Sequence, residues 1–161
     1  MTCAVDETMG WETLETVTRL QQTFRLLGVA EPYPFQVDVG TRLLGGDSVI
    51  LVAPTGSGKT VTALAPFVHA RLTGDLFADR LIYAVPLRTL AATQYEWARD
   101  KLAPLGLRVT IQMGNRPEDP YFEGDVIFTT IDQVLSAYIG VPVSLQPKLA
   151  NLPGGALIGA Y

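Results

Sequence analysis

A six-residue run of mainly apolar and β-branched residues, Ser48 to Ala53 (SVILVA), leads straight into Pro54-Thr55-Gly56-Ser57-Gly58-Lys59-Thr60, and a helical pattern follows at once. The run has the composition of a strand buried on both faces of a parallel sheet. The loop behind it is rich in small residues that accept unusual dihedrals, so several backbone N–H groups can converge on one anion. A helix opening at the same point adds its unpaired amides and the positive end of its dipole. Strand, anion-cradling loop and helix in that order restrict the chain to the α/β class.

The rest of the sequence repeats the alternation. Strand-like runs recur at Leu81 to Val85, Val109 to Met113, Val126 to Thr129 and Ala156 to Gly159. Helical patterns lie at Thr60 to Leu72, where Pro66 should kink the helix or cost it a hydrogen bond, at Leu87 to Leu102 and at Ile131 to Ile139. Further forward, Leu14 to Leu27 predicts a helix ending at Gly28, and Phe35 to Leu44 a second one closed by Gly45-Gly46. Gly114 to Gly124 and most of Gly140 to Gly155 read as loops. The expected architecture is a mostly parallel sheet with helices on both faces, over residues 31–161, behind an acidic, partly helical leader over residues 1–30.

Composition agrees. Of the 161 residues 48% are hydrophobic, enough for a real core, and only 17% are charged, as expected where a sheet is covered on both sides. The net charge of -4 and a pI near 4.9 exclude nucleic-acid binding through bulk positive potential, so any such binding must be local. The lone Cys3 allows no internal disulfide, and no Cys and His set has metal-ligand spacing. With no apolar stretch long enough to span a bilayer and no signal-peptide pattern, the expectation is a cytoplasmic protein without a membrane partner.

Residues 53–60 fit a phosphate loop with Ala53 at the position usually written as Gly. Thr55, Gly56, Ser57 and Gly58 would wrap the phosphates of ATP, Lys59 would reach the β and γ phosphates as the catalytic cation, and the Thr60 hydroxyl would bind Mg²⁺.

The segments beyond the loop narrow the class. Pro86-Leu87-Arg88-Thr89-Leu90-Ala91-Ala92-Thr93-Gln94 follows one strand, and Thr129-Thr130-Ile131-Asp132-Gln133 follows another. These resemble two motifs of the first RecA-like domain of superfamily 2 helicases. The resemblance implies that Arg88, Thr89, Gln94, Gly114, Thr129, Thr130 and Gln133 contact the backbone of a single-stranded nucleic acid, expected to be DNA. N–H groups and hydroxyls at strand-to-helix turns suit that task, since they hold phosphates without reading bases. Gln36, in Pro32-Tyr33-Pro34-Phe35-Gln36, resembles the glutamine with which that family recognises adenine. Many family members carry a stacking aromatic residue upstream of that glutamine, where this chain has Arg19.

Gln112-Met113-Gly114-Asn115-Arg116-Pro117-Glu118-Asp119-Pro120, the run from Phe122 to Gln133, and Gly155 to Tyr161 are similar to the CRISPR-associated helicase of type I interference. That resemblance implies 3′ to 5′ movement on DNA, action beside a guide RNA effector complex, and a nuclease partner. No His precedes His69, so the resemblance does not extend to an HD nuclease site in this chain. The family's acidic Asp-Glu motif would come after Tyr161, and a second motor domain later still. The expectation is therefore an incomplete RecA-like domain that alone neither hydrolyses ATP nor unwinds. Other readings are a different superfamily 2 DNA or RNA helicase, a small-molecule kinase on the same loop, or a non-catalytic nucleotide-binding remnant.

Overall fold

The computed structural model describes residues 11–139, together with Leu157 and Ala160. They fall into two compact units that divide between Phe77 and Ala78.

The described part of the first unit is helical: α1 (Trp11–Leu26), α2 (Pro34–Leu44) and α3 (Lys59–Thr73) pack on one another. Leu20, Phe24 and Leu27 of the α1 region, Val39 of α2, and Leu64, Phe67 and Val68 of α3 are buried. Burying one such side chain contributes about 1.5–3 kcal/mol. A Cβ on Gly40 would come within 2.7 Å of Leu20 Cδ2, so the missing side chain on α2 makes room for a core leucine of α1. Helix α2 starts with Pro34 at its first position, where a missing N–H costs nothing. Helix α3 runs unbroken through Pro66 and ends at Gly74 in the left-handed conformation, whose N–H bonds the Ala70 carbonyl. Pro66 has no N–H to donate, so the helix forgoes one hydrogen bond there, as expected, and continues across it.

The expected strand over Ser48 to Ala53 is absent: these residues are irregular chain, with Ile50 94% and Val52 91% exposed. A β-prone run becomes a strand only when a neighbour supplies N–H and C=O partners, and the described residues of this unit offer helices alone.

The second unit carries the sheet. Strands β1 (Leu81–Val85), β2 (Val109–Met113), β3 (Arg116–Pro117) and β4 (Val126–Thr130) lie in the order β1-β4-β2-β3. β4 pairs in parallel with β1, Leu81 against Val126 through Val85 against Thr130, and with β2, Val109 against Val126 through Gln112 against Thr129. Only the short β3 runs antiparallel, pairing Gln112 with Pro117 and Met113 with Arg116. All five residues of the central β4 are buried, so both its faces are covered. Helix α4 (Arg88–Leu102) packs on β1, β2 and β4, and α5 (Ile131–Tyr138) on β1 and β4. Ile127, Phe122 and Ala137 form a buried cluster, with Ile82 and Leu157 against it. The expected α/β class and mostly parallel sheet are thus present, consistent with part of a RecA-like domain.

Part of the predicted loop Gly114 to Gly124 is therefore strand β3. The remainder is tied down by the buried Asp119 carboxylate, which accepts hydrogen bonds from the Thr110 hydroxyl (2.7 Å) and from the N–H groups of Glu123 and Gly124 (both 2.8 Å). Of the predicted strand Ala156 to Gly159 only Leu157 is described, in a turn, while Ala160 bridges in parallel to Arg80. The predicted loop from Gly140 to Gly155 lies outside the described residues, as do the first ten residues of the leader. No helix among the described residues is long and apolar enough to cross a membrane.

Candidate functional site

The loop read from the sequence as a phosphate cradle sits at the mouth of α3. Gly56 (φ 82°) and Gly58 (φ 79°, the residue capping the helix) both adopt the left-handed conformation that glycine tolerates and other residues do not. The first bond that closes the helix runs from the Thr62 N–H to the Gly58 carbonyl at 2.9 Å, so the loop amides ahead of it lie at the helix's open, positive end. Ser57 N–H reaches back to the Pro54 carbonyl at 3.3 Å and tightens the turn. The Ser57 hydroxyl is buried without a hydrogen-bond partner, a polar atom that an incoming phosphate oxygen would satisfy. Lys59 follows at the first helical position. Its ammonium donates to the Ala53 and Pro54 carbonyls, each at 2.7 Å, which folds it over the loop and leaves a third N–H for an anion.

Gln36 reaches this loop from α2. Its side-chain NH₂ donates to the Ser57 and Gly58 carbonyls (both 3.4 Å) and to the Thr62 hydroxyl (3.2 Å). Its side-chain oxygen accepts the Tyr33 N–H at 2.9 Å, closing the start of α2. With only 1% of its surface exposed, Gln36 acts here as a strut between the two helices. Thr62 also belongs to this network, its hydroxyl donating to the Gly58 carbonyl at 3.0 Å. The only sequence signal for that role was its place one turn into α3.

His69 stands apart from this chemistry, buried in the helical unit with Nδ1 3.4 Å from the Thr23 hydroxyl and Nε2 3.7 Å from an Asp75 carboxylate oxygen. Burial lowers its pKa below the ordinary histidine value, against the opposing pull of Asp75; the charge of Arg19 lowers it further.

In the sheet unit the parallel register brings the carboxyl ends of β1, β4 and β2 to one edge. Arg88 opens α4 there, Gly114 follows β2, and Gln133 lies in the first turn of α5. A Cβ on Gly114 would stand 3.7 Å from Arg88 Nη2 and 3.9 Å from Gln133 Nε2, so two side-chain donors flank a bare backbone. Asp132, which sequence reasoning passed over, joins them: Gln133 Nε2 lies 3.5 Å from its carboxylate. The Thr130 hydroxyl holds the Asp132 carboxyl below the usual range, helped by Gln133 and by the charge of Arg88 and opposed by burial.

The other predicted contacts are placed differently. Thr89 is exposed and Gln94 half-buried on α4. Thr130 is buried and caps α5 with its backbone. Thr129 is fully buried and donates its hydroxyl to the Gln112 carbonyl at 2.7 Å, so the sheet itself engages the group expected to meet a phosphate. β4 is covered on both faces, and strand alternation therefore gives Thr129 no solvent side.

Residues 33–150 match the model of the DEAD/DEAH box helicases. The chain is 30% identical over 128 residues to the ATP-dependent DNA helicase Hel308 of Pyrococcus horikoshii, which covers 78% of this chain and 17% of that protein. It is 34% identical over 146 residues to Hel308 of Aeropyrum pernix, covering 88% and 18%. Against the DEAD-box ATP-dependent RNA helicase 36 of Arabidopsis thaliana it is 32% identical over 134 residues, covering 82% and 26%. The chain thus spans about a quarter or less of the length of each of these relatives.

Proposed function

The chain belongs to the DEAD/DEAH box helicase family, and from that premise we propose that it is the ATP-holding part of a motor that moves on single-stranded nucleic acid. The observation that carries this reading is the loop at the mouth of α3, where Gly56 and Gly58 open the backbone, Ser57 keeps an unpartnered hydroxyl and Lys59 lies across the cradle. Thr55 to Thr60 wrap the phosphates, and Gln36 supports the loop from beneath. For Gln36 to read the adenine edge, its amide must exchange its bonds to the Ser57 and Gly58 carbonyls.

Among the described residues no cluster of three or more His, Cys, Asp or Glu side chains is placed to hold a metal. A cation here would depend on hydroxyl and phosphate oxygens, the donor set that suits Mg²⁺ brought in on a nucleotide. Thr60 is the residue to hold it, and the ion would neutralise charge on the β and γ phosphates.

The nucleic acid follows Arg88, Thr89, Gly114 and Gln133 along the edge of the sheet, with Gln94 further along α4. Phosphate contact there relies on local donors, as the net negative charge requires. DNA is the proposed substrate, supported by the two Hel308 relatives. The likeness of residues 112–133 to the CRISPR-associated helicase supports the finer reading: a cytoplasmic 3′ to 5′ motor beside a guide RNA effector complex, with a nuclease partner. The RNA helicase relative favours a second reading, in which the strand is RNA.

Fluorescence anisotropy with labelled single strands of equal length separates the two. The proposal expects tighter binding of DNA than RNA, and loss of salt-sensitive affinity in Arg88→Ala. RNA bound as tightly or more tightly favours the second reading, and an indifferent Arg88→Ala at low salt removes Arg88 from the interface.

A further inference from the structure

The β2–β3 hairpin carries Gly114 at its tip, and neither its ladder nor its turn is enough to hold that tip in place. Strand β3 is two residues long and pairs only Met113 with Arg116 and Gln112 with Pro117. A ladder this short is marginal by itself. The two connecting residues, Gly114 and Asn115, both lie outside the left-handed region. The turns that suit a two-residue hairpin need at least one residue there, and other turns splay the strands apart. Behind β3 the Asp119 N–H bonds the Gln112 side chain at 3.2 Å, which fixes the base of the hairpin and not its tip.

Arg116 supplies the missing connection. Its guanidinium lies over the ring of the buried Tyr95 on α4, 5.3 Å from the centroid, and stands 3.6 Å from the Glu96 carboxylate on the same helix. Glu118 accepts from its Nε and Nη2 at 3.1 and 2.8 Å and so sets the orientation of the group. Arg99 shares the ring and the carboxylate, 5.4 Å from the Tyr95 centroid and paired with Glu96. Two guanidiniums over one ring repel each other, and the two glutamates offset that repulsion. Helix α4 is thus the seat of the hairpin. Seven residues earlier, two turns and about 10 Å back along the same face, it also carries Arg88. The tip returns to that residue: a Cβ on Gly114 would lie 3.7 Å from Arg88 Nη2 and 3.9 Å from Gln133 Nε2.

We propose that Arg116 is a positioning residue of the single-strand interface: its hold on Tyr95 and Glu96 seats the hairpin so that the bare backbone at Gly114 stands between Arg88 and Gln133. This rests on the nucleic-acid reading of that edge. Arg116 itself touches no phosphate. The strand binds the seated hairpin, so releasing the tip lowers affinity by at most the factor by which the clamp favours the seated form. One cation–π contact and the surface ion pairs make that factor roughly 3 to 20.

The test is fluorescence anisotropy of a labelled single-stranded oligothymidylate over a series of salt concentrations, with far-ultraviolet circular dichroism to verify that each variant is folded. The clamp predicts that Arg116→Ala weakens binding by roughly 3- to 20-fold with the salt slope of the wild type. Arg116→Lys, which keeps a cation beside Tyr95 and Glu96, should recover part of the loss. The double variant Glu96→Gln/Glu118→Gln decides by sign: removing two negative charges strengthens binding on electrostatics alone, whereas loss of the clamp weakens it. Unchanged affinity in Arg116→Ala, or tighter binding by the double variant, overturns the clamp. A salt slope reduced by about one in Arg116→Ala makes Arg116 a phosphate contact and overturns it as well. A wild-type chain that binds no single strand overturns instead the nucleic-acid reading on which the clamp stands.

Discussion

The side-chain nitrogen of Gln36 lies 3.4 Å from the Gly58 carbonyl, and a Cβ placed on Gly58 would approach that same nitrogen to 2.7 Å. Gly58 is thus constrained twice, by its left-handed backbone and by the amide packed against it. Gly58→Ala should cost about 1–2 kcal/mol for the backbone conformation alone, and the contact with Gln36 adds to it. Urea unfolding of Gly58→Ala, Gln36→Ala and the double variant measures this. The double variant should be more stable than the two single losses predict when added, because removing Gln36 relieves the contact; simple additivity would show that the two positions do not interact.

A second glycine depends on a buried charge. A Cβ at Gly124 would collide with the Thr110 hydroxyl and stand 3.2 Å from the Asp119 carboxylate. Asp119→Asn keeps the shape but turns an NH₂ group toward donors, leaving at least one of three hydrogen bonds unmade. The expected loss is about 1–3 kcal/mol, with faster amide hydrogen exchange at Glu123 and Gly124. Wild-type exchange there would mean that Asp119 does not hold the loop.

Thr129 and Arg88 should separate stability from binding. Thr129→Val removes a buried hydroxyl bonded to the Gln112 carbonyl and should cost about 1 kcal/mol of stability while leaving single-strand affinity unchanged. A drop in affinity at unchanged stability would return Thr129 to the interface.

Acid should weaken the helical unit through His69. Its folded pKa lies below the ordinary value of 6.5, so between the two the unfolded chain binds more protons than the folded one. The stabilising contribution is therefore complete above about pH 6.5 and is lost as pH falls through the lowered folded value. Thermal unfolding between pH 7.5 and 5 should show a fall in Tm that is shallower in His69→Gln. Equal slopes in both proteins would assign the acid sensitivity elsewhere.

The sequence showed best those elements whose partners it also contains. The runs at 81–85, 109–113 and 126–129 became adjacent parallel strands, and the amphipathic pattern from residue 87 became α4. Ser48 to Ala53 has the same composition and no ladder, because strand formation depends on a neighbour that propensity does not reveal. The turn at Gly56 to Gly58 and the helix start at Lys59 were legible because their geometry is local: glycines at positive φ, then a lysine at a helix start. The engagement of Gln36, the burial of Thr129, and the approach of Arg88 and Gln133 to Gly114 were not, since each depends on contacts between elements distant in sequence. Asp119 was read as part of a polar loop, and only the fold shows its carboxylate to be the anchor of that loop.

The central claim is that the loop from Ala53 to Thr60 holds the phosphates of ATP, and Lys59→Ala tests it most directly. Titration with a fluorescent ATP analogue and Mg²⁺ should give saturable binding to the wild-type chain and none to the variant at matched concentration. Binding of equal affinity in both proteins would contradict the account.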